Sequence, residues 1–445
     1  MPISSRRFGA TARFAGRNRL ALAVSAALEQ SGGMLLSPVV IVAVSSLLTA
    51  DLTDMVLPAV VATVAWIAGY TAVPILLSRA RRRLPWTVGS AIVRTASLAL
   101  LAYVLAGHDV SREQRLRSIL ICVGAYALAT GLARGASESL VARVTAARRP
   151  GRPDTLLALL PAALALLVGV VAFTLLIDVP RSPLPRLAVM YGVAAGLSGA
   201  ATLFLGRVVE SSNLVMTSPR SLRSLRGWRE QTGSVAWLVA AAVSSAVELL
   251  LVVGLVRYVD LPRAYLLSGI GVFLAASAVA AVAGAAIDRA VPLRALVQLS
   301  AVMSGTAFAL AVGLPTLLET DQSPVSLLGR QPPEVGVWVV MALVGVAQQT
   351  RRRVLPRLAD HTSTSPVLLN AVGLALAFLP LVLAALLDRR EPRDWLLAGL
   401  GAALLGIAVG GAISPRRLAV RARRPTIPPL RSGGAMRSVG GRSSP

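Results

Sequence analysis

The sequence predicts an all-α polytopic membrane protein, with about 12 transmembrane helices in two pseudo-symmetric six-helix bundles. Three observations carry that prediction. First, 55% of the 445 residues are hydrophobic and the mean hydropathy is +0.70. That is too apolar for an ordinary water-soluble domain. Second, apolar windows of about twenty residues, the length that crosses a bilayer as a helix, recur along the whole chain. Third, a nonapeptide repeats half a chain apart. Residues 21–29 read Ala-Leu-Ala-Val-Ser-Ala-Ala-Leu-Glu and residues 240–248 read Ala-Ala-Ala-Val-Ser-Ser-Ala-Val-Glu. Six of nine positions agree, and both copies end in a carboxylate, Glu29 or Glu248, inside an apolar run.

Taken in order, the windows fall at 20–48, 55–78, 86–106, 118–142, 155–177, 187–206, 234–256, 264–287, 295–317, 335–350, 366–387 and 395–413. The first is long because a polar break, Glu29-Gln30-Ser31-Gly32-Gly33 followed by Pro38, divides it. That break either bends the span around a substrate or is an ordinary membrane-helix kink. The fourth window carries Gly124, Gly131 and Gly135, which are expected to let a neighbouring helix approach closely.

The net charge of +25 comes from 45 basic residues, all of them Arg. With the N-terminus placed in the cytoplasm, segments on that side hold 32 Arg and the outward loops hold 11. Arg94 and Arg134 lie inside spans. This is a strong positive-inside bias, so both termini are expected in the cytoplasm and the membrane is expected to be the plasma membrane. The basic charge is assigned to orientation in the lipid bilayer and not to nucleic acid.

The domain reading follows from these windows. Residues 1–19 form a cytoplasmic arm and 20–206 the first bundle. Residues 207–233 form a basic linker and 234–413 the second bundle. Residues 414–445 are an Arg-rich, disordered tail. The linker carries Arg220, Arg223, Arg226 and Arg229 at a three-residue period. It reads either as a helix on anionic lipid or as a solvated connection.

Twelve spans, two six-helix halves and a central inward loop resemble the major facilitator superfamily of secondary transporters. A second internal echo, Leu140–Val144 against Val354–Leu358, joins spans four and ten. The superfamily's loop signature Gly-x-x-x-Asp-Arg stands in the second half at Gly284, Asp288 and Arg289. The corresponding first-half loop, which includes Arg79 and Arg81, lacks both its Gly and its Asp. The resemblance implies alternating access to a small-molecule substrate with no cofactor, and it implies gate roles for the signature residues.

Ionisable residues inside spans are costly and mark ion or substrate pathways, or else static packing pairs. Glu29 and Arg94 have matching depths in spans one and three. Glu29 is therefore a proton or cation-substrate site tuned by Arg94, or half of a fixed pair, with Gln30 as a polar neighbour. Glu248 has no basic residue at similar depth in its own span. It is expected to be protonated much of the time, and is either the better proton carrier or a permanently neutral acid hydrogen-bonded to a neighbouring helix. Arg134 and Glu138, four residues apart, share a helix face and form either a gate or a self-neutralising pair. Asp288 is expected to pair with one of Arg351, Arg352 and Arg353 at the end of span ten. In the first half, Glu138 is expected to pair with Arg79 or Arg81.

These residues point to a non-enzymatic, proton-coupled transporter of a small, amphipathic molecule. No His lies within a span, no metal site is expected, and a phosphate-cradling loop with Lys is excluded because there is no Lys. A non-transporting scaffold with the same fold is the alternative. Asp51-x-x-Asp54 in the first outward loop is compatible with a membrane glycosyltransferase, but the outward loops are too short for a catalytic domain.

Overall fold

The computed structural model describes residues 5–77, 82–107, 110–145, 155–176, 183–210, 228–257, 263–287, 291–319, 332–361, 373, 375–387 and 392–412. Among them there is no strand. Helix α1 covers Ser5–Gly33, a 3₁₀ turn Met34–Leu36 follows, and α2 covers Pro38–Ser46. The first half continues with α3 (Leu52–Leu77), α4 (Leu84–Ala106), α5 (Arg112–Thr145), α6 (Thr155–Leu176) and α7 (Leu184–Gly206). The second half contains α8 (Trp228–Arg257), α9 (Arg263–Ile287), α10 (Leu293–Glu319), α11 (Pro332–His361), α12 (Leu379–Leu387) and α13 (Pro392–Ala412).

Eight helical segments among the described residues are long and apolar enough to cross a membrane, and three shorter apolar segments accompany them. Large apolar side chains remain exposed around the outside, including Ile92, Leu100, Ile121, Leu167, Leu203 and Leu404. An apolar surface of that extent needs lipid, not water, as its solvent. Many serine and threonine hydroxyls within the helices are satisfied locally. Ser90, Ser97 and Thr130 each donate to the carbonyl four residues back, which is how polar side chains are accommodated in hydrocarbon. The protein is therefore a polytopic, all-α membrane protein.

The polar break in span one interrupts the helix where the sequence places it. Ser37 is extended (φ −63°, ψ 145°), and its hydroxyl accepts from Val40 N at 3.4 Å. Pro38 then occupies the first helical turn, where its missing N–H costs nothing. The carbonyl of Leu35, freed by the 3₁₀ turn, accepts from the Tyr191 hydroxyl of α7 at 3.2 Å. Elsewhere the helices run beyond the apolar windows. The fourth window, 118–142, belongs to a helix of 34 residues, and the tenth, 335–350, to a helix of 30.

The helices of the two halves pack in the same way. In the first half α3 packs on α5, α4 on α5 and α7, and α1 on α6 and α7. In the second half α9 packs on α11, α10 on α11 and α13, and α8 on α12 and α13. The halves meet through α2 with α8, α3 with α12 and α6 with α9. Small residues permit the closest of these approaches. A Cβ at Gly271 of α9 would lie 2.9 Å from Phe173 Cα, and one at Gly169 of α6 would lie 3.0 Å from the Leu274 carbonyl. Within the first half, a Cβ at Gly131 would strike the Trp66 carbonyl and one at Gly135 would strike Val73. This is the close approach expected of the α5 glycines.

The basic linker from 211 to 227 and the tail from 413 lie outside the described residues. The expected arm is part of α1, which is helical from Ser5.

Candidate functional site

Among the described residues, two charge networks lie inside the helical assembly, one in each half. In the first, Arg94 of α4 embraces Glu29 of α1. Arg94 Nη1 donates to Glu29 Oε2 at 3.0 Å, and Nη2 donates to Oε1. The arrangement is the two-pronged fork that suits guanidinium to carboxylate. The Arg94 side chain is 5% exposed and that of Glu29 is 23% exposed. Arg94 Nε is buried with no hydrogen-bond partner among the described residues. The depths agree with the sequence count, which places both groups well inside the bilayer.

The second network corrects an expectation. Glu248 of α8 is not an isolated carboxylate. Arg351 of α11 donates to its Oε2, and Ser304 of α10 donates to its Oε1 at 2.6 Å. Arg351 Nη1 also donates to Ser304 Oγ at 3.1 Å, closing a three-membered ring of contacts. Here the Glu248 side chain is 1% exposed and that of Arg351 is 8% exposed. Both carboxylate oxygens accept from donors, and one of those donors is a guanidinium. Ser244, one turn before Glu248 on α8, is buried, but the hydroxyl on the carboxylate is that of Ser304.

The depths of the two networks match. Arg94 lies ten residues past Leu84 at the start of α4, and Ser304 lies eleven past Leu293 at the start of α10. At 1.5 Å per residue, these distances are roughly 15 and 17 Å from the same face. That is near the middle of a hydrocarbon core about 30 Å thick.

Arg352 lies beside this second network. Its side chain is exposed, yet it lies within electrostatic range of Arg351 and of Tyr126 from the opposite half. Tyr126 in turn lies within range of Glu29 and Arg94. A Cβ at Gly33, in the span-one break, would sit 3.1 Å from the Tyr126 hydroxyl oxygen. Tyr126 thus lies within electrostatic range of both the Glu29–Arg94 pair and Arg352.

The remaining expected residues are placed as follows. Gln30 is exposed on α1, Arg134 is exposed on α5 and Gly284 is half-buried on α9. Glu138 and Arg353 fall in α5 and α11, but their side chains lie outside the described residues, as do Arg79, Asp288 and Arg289 altogether. The expected Asp288 and Glu138 gate pairs are thus not on view. Arg351, one of the expected partners of Asp288, is engaged with Glu248 instead.

Glu210, Ser304 and Tyr126 were not singled out by sequence. Glu210, just past α7, accepts at Oε2 from the backbone N–H groups of Arg83 at 2.8 Å and Leu84 at 2.9 Å. A carboxylate at a helix start satisfies orphan donors and suits the helix dipole. It stands beside the loop in which the first-half signature has lost its Asp. Asn18 of α1 exchanges two 3.0 Å hydrogen bonds with the backbone of Val209, fixing the same segment.

No family model and no curated protein matches this sequence. Its fold does match solved structures. Those include the xylose transporter XylE from E. coli in a partially occluded inward-open conformation, with TM-score 0.58 and 13% identity over 89% of this chain and 98% of that one. A bacterial homologue of the iron transporter ferroportin, inward-facing, gives TM-score 0.56 and 14% identity over 89% and 98%. A mutant of the nucleoside transporter NupG gives TM-score 0.55 and 12% identity over 88% and 98%. At such identities the likeness is one of architecture, and the chain has the major facilitator fold that these transporters share.

Proposed function

We propose that the protein is a secondary active transporter that moves a small molecule by alternating access, with its Arg-rich face in the cytoplasm of a plasma-membrane protein. The observation that carries this reading is the pair of charge networks at matched depth in two similarly packed halves. A purely structural bundle has little use for two buried ion pairs, since apolar residues of the same shape are often at least as stable. Among the described residues the halves meet chiefly through α6 with α9, α2 with α8 and α3 with α12, and α6 with α9 approaches closely at glycine. Such an interface suits rocking of one half against the other.

Within this reading, Glu29 is the proton-coupling candidate, and the Glu248 network holds α8, α10 and α11 together as one half rocks against the other. Glu29 is the more accessible acid, and protonating it would free Arg94, whose Nε already lacks a partner. Glu248 is sealed by Ser304 and Arg351. This reading favours Glu29 over Glu248 as the coupling acid, the opposite of the order expected from sequence.

The test uses purified protein in proteoliposomes under an inward proton gradient, offered a whole-cell metabolite extract, with vesicle contents read by mass spectrometry. The expected result is protein-dependent accumulation of at least one solute that collapses with a protonophore. Glu29→Gln should then retain exchange but lose gradient-driven accumulation. Accumulation that is indifferent to the gradient and unchanged in Glu29→Gln removes proton coupling. No protein-dependent uptake by folded protein supports a scaffold role.

A further inference from the structure

We infer that a recess between α1 and α7, at the end of the bundle that faces the cytoplasm, binds the phosphate headgroup of an anionic phospholipid, with Arg17 and Arg207 as its charge partners. The inference uses the orientation proposed above and is independent of transport.

The recess has a volume of about 250 Å³ and is lined by Arg17, Leu20 and Ala21 of α1 and by Phe204 and Arg207 at the end of α7. Sites that enclose a whole small ligand run to roughly 300–1,000 Å³. This one suits the phosphate end of a larger molecule whose remainder lies outside. Its depth fits a headgroup. Arg17 lies twelve residues before Glu29 on one continuous helix, a rise of about 18 Å. Arg207 lies nine residues past Ser198, whose hydroxyl is 3.0 Å from that of Thr95, the residue after Arg94. That is a rise of about 14 Å. Two independent counts from the charged mid-level thus reach the same boundary, about 15 Å from the centre, where hydrocarbon gives way to headgroups.

Both arginines are exposed, and arginines at a helix end ordinarily fan loosely among headgroups. These two are held. The guanidinium of Arg207 lies over the Phe204 ring, 5.4 Å from its centroid, a contact that positions a cation without neutralising it. Asn18, next to Arg17 and 4% exposed, exchanges two 3.0 Å hydrogen bonds with the backbone of Val209, just past Arg207. That clamp sets the spacing of the two arginine-bearing walls. The Glu210 carboxylate is directed elsewhere, at the backbone N–H groups of Arg83 and Leu84. The end of α7 is the negative pole of its helix dipole. Positive potential in the recess therefore comes from the two guanidiniums, whose planar forks suit phosphate oxygens.

The surroundings select a lipid over a soluble phosphate. Leu20 in the recess is 52% exposed, and Leu203, beside Phe204, is 74% exposed. These apolar surfaces adjoin the recess on its hydrocarbon side, where acyl chains run. A soluble anion would gain nothing from them. An anionic lipid gains both from them and from the arginines at the cytoplasmic leaflet.

The test is native mass spectrometry of the full-length, detergent-solubilised protein, titrated with palmitoyl-oleoyl phosphatidylglycerol or the matching phosphatidylcholine. The first phosphatidylglycerol should bind more tightly than the first phosphatidylcholine. Each arginine should contribute roughly fivefold, so Arg17→Gln with Arg207→Gln should weaken that binding by about twenty-fivefold. Arg17→Lys with Arg207→Lys keeps the charge and should restore most of the loss. Arg82→Gln with Arg294→Gln removes the same charge from exposed positions outside the recess, and should leave binding within about twofold. Equal affinity for the two lipids overturns the inference. So does no loss in the Gln pair, an equal loss in the Lys pair, or an equal loss in the control pair. Displacement of the lipid by inorganic phosphate or glycerol 3-phosphate overturns the lipid assignment and makes the recess a soluble-anion site. None of these outcomes touches the transporter reading, whose own test is gradient-driven uptake.

Discussion

The two halves inherit the same acid and surround it differently. Glu29 and Glu248 close equivalent nonapeptides and sit at similar depth, but their partners come from different helices. Glu29 is held by one arginine of α4 and keeps a 23% exposed side chain. Glu248 is held by an arginine of α11 and a serine of α10 and is 1% exposed. A repeated position thus fixes where a charge enters the bundle but not what neutralises it. The open pair is suited to change state, and the closed one is suited to tie three helices together.

The sharpest way to break this comparison is to remove each arginine in turn. Arg351→Ala strips a sealed carboxylate of its cation, a change of about 3–5 kcal/mol when a buried pair is broken. The expected outcome is a large fall in the melting temperature of the detergent-solubilised protein, partly restored in the double variant Arg351→Met with Glu248→Met. Arg94→Ala should lower it less, because Glu29 retains contact with solvent. Equal losses from the two single variants would erase the distinction between open and closed pairs.

A second comparison concerns helix crossings. Gly131 lets α5 rest on the Trp66 carbonyl of α3, and Gly345 lets α11 approach the Phe273 carbonyl of α9, where a Cβ would lie 2.7 Å away. These are corresponding crossings of the two halves. Gly131→Ala and Gly345→Ala should each destabilise by about 1–3 kcal/mol, the range for overpacking, with the first-half variant the worse. Thermal unfolding followed by size-exclusion profile measures both.

The smallest effect is expected at the first-half loop. Glu210→Ala leaves the start of α4 without its carboxylate cap, a loss of about 0.5–2 kcal/mol. Hydrogen exchange of the first turn of α4 should quicken while α10 is unaffected. No change there would mean that the Glu210 contact does not hold the turn.

Much of this architecture was legible in the sequence because hydrocarbon demands long apolar helices and punishes charge. The span-one break was visible because Gly32, Gly33 and Pro38 act on the backbone locally. The α5 glycines were visible for the same reason. Pairing of Glu29 with Arg94 was legible because both lie within apolar windows whose depths can be counted.

Pairing of Glu248 with Arg351 was not legible. A window chosen for apolarity ends where charge begins, so span ten stopped at 350 and Arg351 was assigned to its mouth. The helix continues to His361, and Arg351 turns inward. Ser304 is one of many serines, and nothing in its neighbours distinguishes it. Glu210 fell in a segment read as linker, where a carboxylate has no evident task until α4 is folded beside it.

The break in span one has a mechanical consequence. Below it, α1 packs on α6 and α7 of its own half. Above it, α2 packs on α3 and reaches across to α8 and α9. A continuous helix in that place would be a single beam clamped to both halves, and it would resist any tilt between them. Span one is instead a long rod and a short one on a pin. The Leu35 carbonyl at the pin is already bonded to Tyr191, so the rods can change angle without exposing it to lipid.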